Sequence, residues 1–125
     1  MYLLVDAVTT RDLLLLLVDG QGKLISRRLI KEGSCREVFL NKLVDFLSDQ
    51  QATNKIIGLA GVNEGGTFSQ VRQSCVLLNA LAWAWTVPVI TWSGQDKVFL
   101  AIIQRIKKAE IGSFIQPRYS GPGVG

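Results

Sequence analysis

Three carboxylates and one glycine-rich turn are the residues of this chain that could do chemistry. Asp6 closes an apolar run, Glu64 follows another, and Asp96 stands just after a Trp-Ser-Gly turn. Three acids brought together at the end of a sheet can hold a pair of Mg²⁺ ions about 4 Å apart and cut a phosphodiester. Gly65-Gly66-Thr67 offers a different chemistry. Small residues opening a helix leave backbone N–H groups free to bind an anion, and with Asp6, Thr9 and Arg72 they make a candidate anion or nucleotide loop. Each has a plainer reading. Asp and Glu often occupy such places as caps and solvated loop charges, and a Gly-Gly-Thr run is often only a turn and a cap. Arg72, one turn into the helix, is opposed by the helix dipole, which suggests either an acidic partner such as Glu64 or a bound anion beside it, or a surface side chain that snorkels to solvent.

The composition removes several classes. There is no histidine among the 125 residues, so zinc sites and Ser/His/Asp or Cys/His catalysis are disfavoured, and no metal or other cofactor is expected. Cys35 and Cys75 lack metal spacing and read as reduced, mostly buried helical thiols. The net charge of +4 and the pI near 9.3 permit contact with nucleic acid without requiring it, and the Lys and Arg residues are scattered rather than gathered on one face, which disfavours direct binding. Leu13–Val18 is far shorter than a membrane span, and Asp6 interrupts any signal-peptide core. A soluble cytoplasmic protein is expected.

The elements that must position these residues follow from the apolar pattern. Tyr2–Val5 and Leu13–Val18 are continuous apolar runs, read as buried strands. Asp19-Gly20-Gln21-Gly22 is a hairpin turn into a third strand over 23–30. Ser34 with Glu37 has capping-box spacing and predicts a helix over 35–49 with Phe39, Leu43, Phe46 and Leu47 as its stripe. Strands over 55–60 and 87–90 flank a helix over 68–85, and a last helix spans 94–108 with Asp96 in its first turn. The order β-β-β-α-β-α-β-α gives an α/β fold. It is a single lobe of the ribonuclease H-like, actin-like ATPase type, with a mixed five-stranded sheet and helices on its faces. The lobe is expected over 1–109, with an irregular tail over 110–125 that is mobile near Ser120–Gly123.

The helix over 68–85 carries more apolar surface than one sheet needs. Val71, Cys75, Leu78, Leu81, Ala82 and Trp85 can cover the sheet, which leaves Val76, Leu77, Ala80 and Trp83 for something else. Val38, Leu40 and Val44 similarly exceed the stripe of the preceding helix. Either the two helices cover each other, or both face another subunit. A partner interface at Val38, Leu40, Val44, Leu77, Ala80 and Trp83 is the expectation.

Gly65-Gly66-Thr67-Phe68-Ser69-Gln70-Val71-Arg72 resembles the P-G-S-F-T-G-[LV]-R signature of the TsaB (YeaZ) family. Leu4-Val5-Asp6-Ala7-Val8-Thr9 resembles the family's opening I-D-T-A/S-T, and Val87-Pro88-Val89-Ile90 with Ser93 its I-P-[LM]-[IV]-G-V-S. Ile115-Gln116-Pro117-Arg118-Tyr119 is similar to the P-x-Y near its C-terminus. Gly65 replaces the signature proline, Gln70 replaces its second glycine, and the histidine that opens the family's first helix is replaced around Cys35. Family members have two lobes, so the sequence reads as a divergent homologue shortened to the N-terminal one. The resemblance implies a non-catalytic subunit of the tRNA N6-threonylcarbamoyladenosine machinery, paired with a TsaD-like catalytic subunit and served by a TsaE-like ATPase. It implies pairing through the helices over 35–49 and 68–85, with tRNA touched only indirectly and with the question of a nucleotide at the subunit interface left open. In isolation the same face would support a homodimer. The alternative is a small Mg²⁺-dependent nuclease of the Holliday-junction resolvase type using Asp6, Glu64 and Asp96.

Overall fold

The structure is a computed structural model that describes residues 1–35 and 37–119. Its elements are β1 (Tyr2–Asp6), β2 (Leu13–Val18), β3 (Leu24–Ile30), α1 (Phe39–Asp49), β4 (Gly58–Gly61), α2 (Phe68–Trp85), β5 (Val89–Thr91) and α3 (Phe99–Lys108), in the expected order. They form one mixed sheet with strand order β3-β2-β1-β4-β5. β1, β2 and β3 are an antiparallel meander, while β4 and β5 run parallel to β1. Every residue of β1 is buried, as is all of β2 except Leu14, because these apolar runs lie inside the sheet and are covered on both faces. The hairpin between β2 and β3 turns on Asp19. Its carboxylate accepts from the Lys23 and Gln21 backbone N–H groups, which hold it below the usual carboxylate range.

Strand parity assigns the helices to faces. Gly61, Val5, Leu15 and Arg28 are cross-strand partners and share one face. A Cβ on Gly61 would overlap Leu78 of α2, and the Arg28 guanidinium lies 5.1 Å over the Phe46 ring of α1 while pairing with Asp49 at 2.9 Å. So α1 and α2 cover the same face. Gly58 has the opposite parity, and a Cβ there would overlap Ile106, which puts α3 on the other face. The two glycines of β4 are thus sites of close helix-to-sheet approach.

Several boundaries differ from expectation. α1 begins at Phe39, not at 35, and no side chain caps it. The Ser34 hydroxyl instead donates to the Arg11 carbonyl at 2.5 Å, tying this segment to the β1–β2 turn, so the Ser34–Glu37 capping box does not form. Cys35 is consequently outside the helix and exposed, and its thiol donates to the Glu37 carboxylate, a hydrogen bond that holds the proton on sulfur and pushes the thiol pKa up. Cys75 is buried in α2 as expected, and burial pushes its thiol up to about 11. β4 starts at Gly58 rather than Lys55, and β5 spans Val89–Thr91, one step beyond Pro88. α3 starts at Phe99 because the Ser93 hydroxyl accepts from the Gln95 and Asp96 N–H groups and holds the chain in a turn. Asp96 is therefore a loop residue rather than a first-turn helix charge.

The tail is irregular through Tyr119 but is packed against the lobe. Ile115 is buried at 5% exposure, and the side chain of Asn79 pairs with its backbone in both directions, at 2.9 Å each. Ser120–Gly123, read from the sequence as mobile, lies outside the described residues. Among the described residues no helix is long and apolar enough to cross a membrane.

Candidate functional site

The carboxyl ends of β1, β4 and β5 bring three loops together at one end of the sheet, the place where open α/β sheets bind ligands. Here the loops are occupied with one another. Asp6 is buried at the end of β1, and its carboxylate accepts from the N–H groups of Val8 and Thr9 at 3.0 Å each and from the Thr9 hydroxyl at 2.7 Å. Trp92 crosses from the end of β5 to donate its indole N–H to the Val5 carbonyl at 3.1 Å. That brings Gly94 so near Asp6 that a Cβ there would lie 3.0 Å from a carboxylate oxygen. Gly94 also has φ +80, so glycine is required twice over.

The glycine loop shows the same economy. Gly65 supplies a positive φ of 97, with open space around it. Gly66 lies against the β1 loop, and a Cβ on it would overlap the Val8 carbonyl oxygen. The close approach that glycine permits is made by protein backbone. Thr67 caps α2: its hydroxyl accepts from the Gln70 N–H at 3.2 Å, and the Gln70 side chain accepts from the Thr67 N–H at 3.2 Å. This capping box satisfies two of the donors that an anion would otherwise find at the helix start.

The acidic set does not assemble. Glu64 is exposed and stands 4.0 Å from Arg118, Asp96 is exposed in the turn after Ser93, and Asp6 is engaged with Thr9. Among the described residues no group of three His, Cys, Asp or Glu side chains could hold a metal ion. Arg72 does not pair with Glu64, and among the described residues it makes no ion pair. It lines a groove instead.

That groove, about 690 Å³, runs between α1 and α2 and is lined by Leu40 from α1 and by Phe68, Ser69, Arg72, Val76 and Leu77 from α2. The two helices do not cover each other there. α1 directs Phe39, Leu43, Phe46 and Leu47 to the core, and α2 directs Val71, Ser74, Cys75, Leu78 and Ala82. Gln73 bridges from α2 to the Ser34 carbonyl at 2.9 Å and bounds the groove without filling it. Of the residues expected at an interface, Leu40, Val44, Ala80 and Trp83 are exposed, while Val38 and Leu77 are half-buried. Trp83 is 78% exposed, the largest apolar side chain so displayed, and Val76, two turns earlier in α2, is 59% exposed. The sequence reading missed Phe68 as a groove residue, and it missed Asn79 as the anchor of the tail. A lone Asn in an apolar helix was the available signal for the second.

No protein-family model matches the chain, and no curated protein matches it. Solved structures do. YeaZ from Pseudomonas aeruginosa matches with a TM-score of 0.61 at 20% identity, over 74% of this chain and 44% of that one. The crystal structure of an uncharacterized protein with similarity to peptidase YEAZ, from the same organism, matches with a TM-score of 0.62 at 20% identity, over 74% of this chain and 42% of that one. The chain thus spans less than half the length of the YeaZ structures it matches, and over 74% of its own length its five-stranded α/β lobe has the YeaZ fold.

Proposed function

We propose that the chain is a non-catalytic scaffold subunit of the tRNA N6-threonylcarbamoyladenosine machinery, binding a TsaD-like catalytic subunit through α1 and α2. The observation that carries this reading is the open apolar face those helices share, with Trp83, Val76, Val44 and Leu40 in solvent on a lobe of YeaZ fold. Full burial of such a side chain is worth roughly 1.5–3 kcal/mol, and association recovers the share of it that still lies in solvent. The end of the sheet supports the non-catalytic half of the reading. Asp6, Gly66 and Thr67, the residues that would serve a phosphate or a metal, are engaged in internal contacts. On this reading the protein acts in the cytoplasm, a TsaE-like ATPase serves the complex, tRNA is reached only through the partner, and without that partner the face pairs with a second copy.

Co-purification of the tagged chain with the TsaD-like subunit of its own organism tests the proposal. Wild type is expected to retain that subunit, and Val44→Glu with Trp83→Glu to lose it. Retention by the double variant would move the interface elsewhere. No observation favours the nuclease alternative, because Asp6, Glu64 and Asp96 form no metal-binding group among the described residues.

A further inference from the structure

We infer that residues 113–119 act as a clamp that sets the conformation of the glycine loop over 64–67 and of the first turn of α2. Three attachments carry the inference. At mid-helix, Asn79 donates to the Ile115 carbonyl and accepts its N–H, at 2.9 Å each, and Ile115 is buried. At the start of the loop, Asn63 donates its side-chain amide to the Gln116 carbonyl at 2.8 Å, and its carbonyl accepts the Arg118 N–H at 2.8 Å. At the end of the loop, the Tyr119 ring stacks on Phe68, with centroids 4.4 Å apart and an interplanar angle of 18°. The strap therefore holds Asn63 and Phe68, the two residues that bracket the loop, and Arg118 stands 4.0 Å from Glu64 within it.

The strap runs antiparallel to α2, and the geometry closes. Phe68 to Asn79 spans about 16 Å of helix at 1.5 Å per residue, and Ile115 to Tyr119 covers about 13 Å of extended chain. No regular secondary structure holds the strap in place, so its attachment depends on a few side-chain contacts and the one backbone bond from Arg118 to Asn63, which makes it a unit that opens below the global unfolding free energy. Opening would release both ends of the loop at once. It would also free Phe68, which lines the α1–α2 groove, so the clamp links the loop at the end of the sheet to the groove. This holds whatever molecule occupies the groove.

Amide exchange by NMR on the full chain is the test. Asn79→Ala removes the attachment farthest from the loop. It is expected to speed exchange at Ile115 and Arg118 by roughly 30-fold, the consequence of losing two hydrogen bonds. If the strap acts as one piece, the capping amides of Gln70 and Val71, which bond Thr67, also quicken, by ~3-fold or more. A merely local role for Asn79 would leave Arg118, Gln70 and Val71 at wild-type rates, and that result overturns the clamp. Tyr119→Ala gives the reciprocal measurement on a half-buried side chain, where quickened exchange at Ile115 supports the clamp and an unchanged Ile115 overturns it.

Discussion

Gly66→Ala separates a glycine that serves protein packing from one that serves a ligand. A Cβ at position 66 would overlap the Val8 carbonyl oxygen, lie 2.7 Å from Val8 Cγ1 and stand 3.1 Å from the Val8 carbonyl carbon. Restoring ordinary contact requires the two loops to part by ~1 Å. Neither loop yields easily. Val8 is 1% exposed with its N–H held by Asp6, and Gly66 leads directly into the Thr67 cap. Overpacking of this kind costs about 1–3 kcal/mol. In a chain of this length that is a fall of roughly 3–10 °C in Tm, read by far-UV circular dichroism on heating. Gly65→Ala is the control, since its φ of +97 is strained for alanine but nothing lies within 4 Å. Its cost is about 1 kcal/mol and involves no neighbour. If Gly66→Ala melts with wild type, the loops are not in contact and the packing account of the glycine loop is wrong.

Other consequences are open to direct measurement. Ser74 is 1% exposed, and its hydroxyl has no hydrogen-bond partner among the described residues, so Ser74→Ala is expected to hold or raise stability by up to ~1 kcal/mol in urea titration; a loss above that would reveal a partner. Leu78 is fully buried against Gly61, and Leu78→Ala is expected to cost about 2–5 kcal/mol by the same titration. Cys75 has its folded pKa raised from 9.0 to about 11, so its burial contributes stability that is complete below pH 9 and lost as pH rises through about 11. Cys75→Ala should flatten the fall of stability across that window, and an unchanged slope would discount the thiol. Toward a thiol reagent at neutral pH only Cys35 reacts in the folded chain, and Glu37→Gln speeds it by removing the carboxylate that raises its pKa; reaction of Cys75 without unfolding would contradict its burial.

What could be read from the sequence followed the range of the forces involved. β1, β2 and α2 were legible because continuous apolar runs and the Thr67 cap are local signals that the tertiary structure reinforces. The excess surface was legible for related reasons: α2, apolar nearly all round, has more to bury than one sheet can cover, and Val44 lies off the stripe of Phe39, Leu43, Phe46 and Leu47 that α1 turns to the core. The starts of α1 and α3 were not legible. Ser34 has the spacing of a cap, but its hydroxyl is captured by the Arg11 carbonyl 23 positions away, and Ser93 holds its turn where helical periodicity begins. The strap was invisible for a third reason. Residues 110–119 have no period, and their order comes from Asn63, Asn79 and Phe68, whose contacts exist only in the fold.

The central claim is that the α1–α2 face binds a TsaD-like subunit, and sedimentation velocity on mixtures of the two proteins tests it most directly. The wild-type chain is expected to form a heavier species with the TsaD-like subunit of its organism. Trp83→Glu is expected to weaken that species by 30-fold or more, since a central tryptophan anchor contributes at least ~2 kcal/mol. A wild-type mixture that sediments as two independent proteins at tens of micromolar, or a complex that Trp83→Glu leaves undiminished, would contradict it.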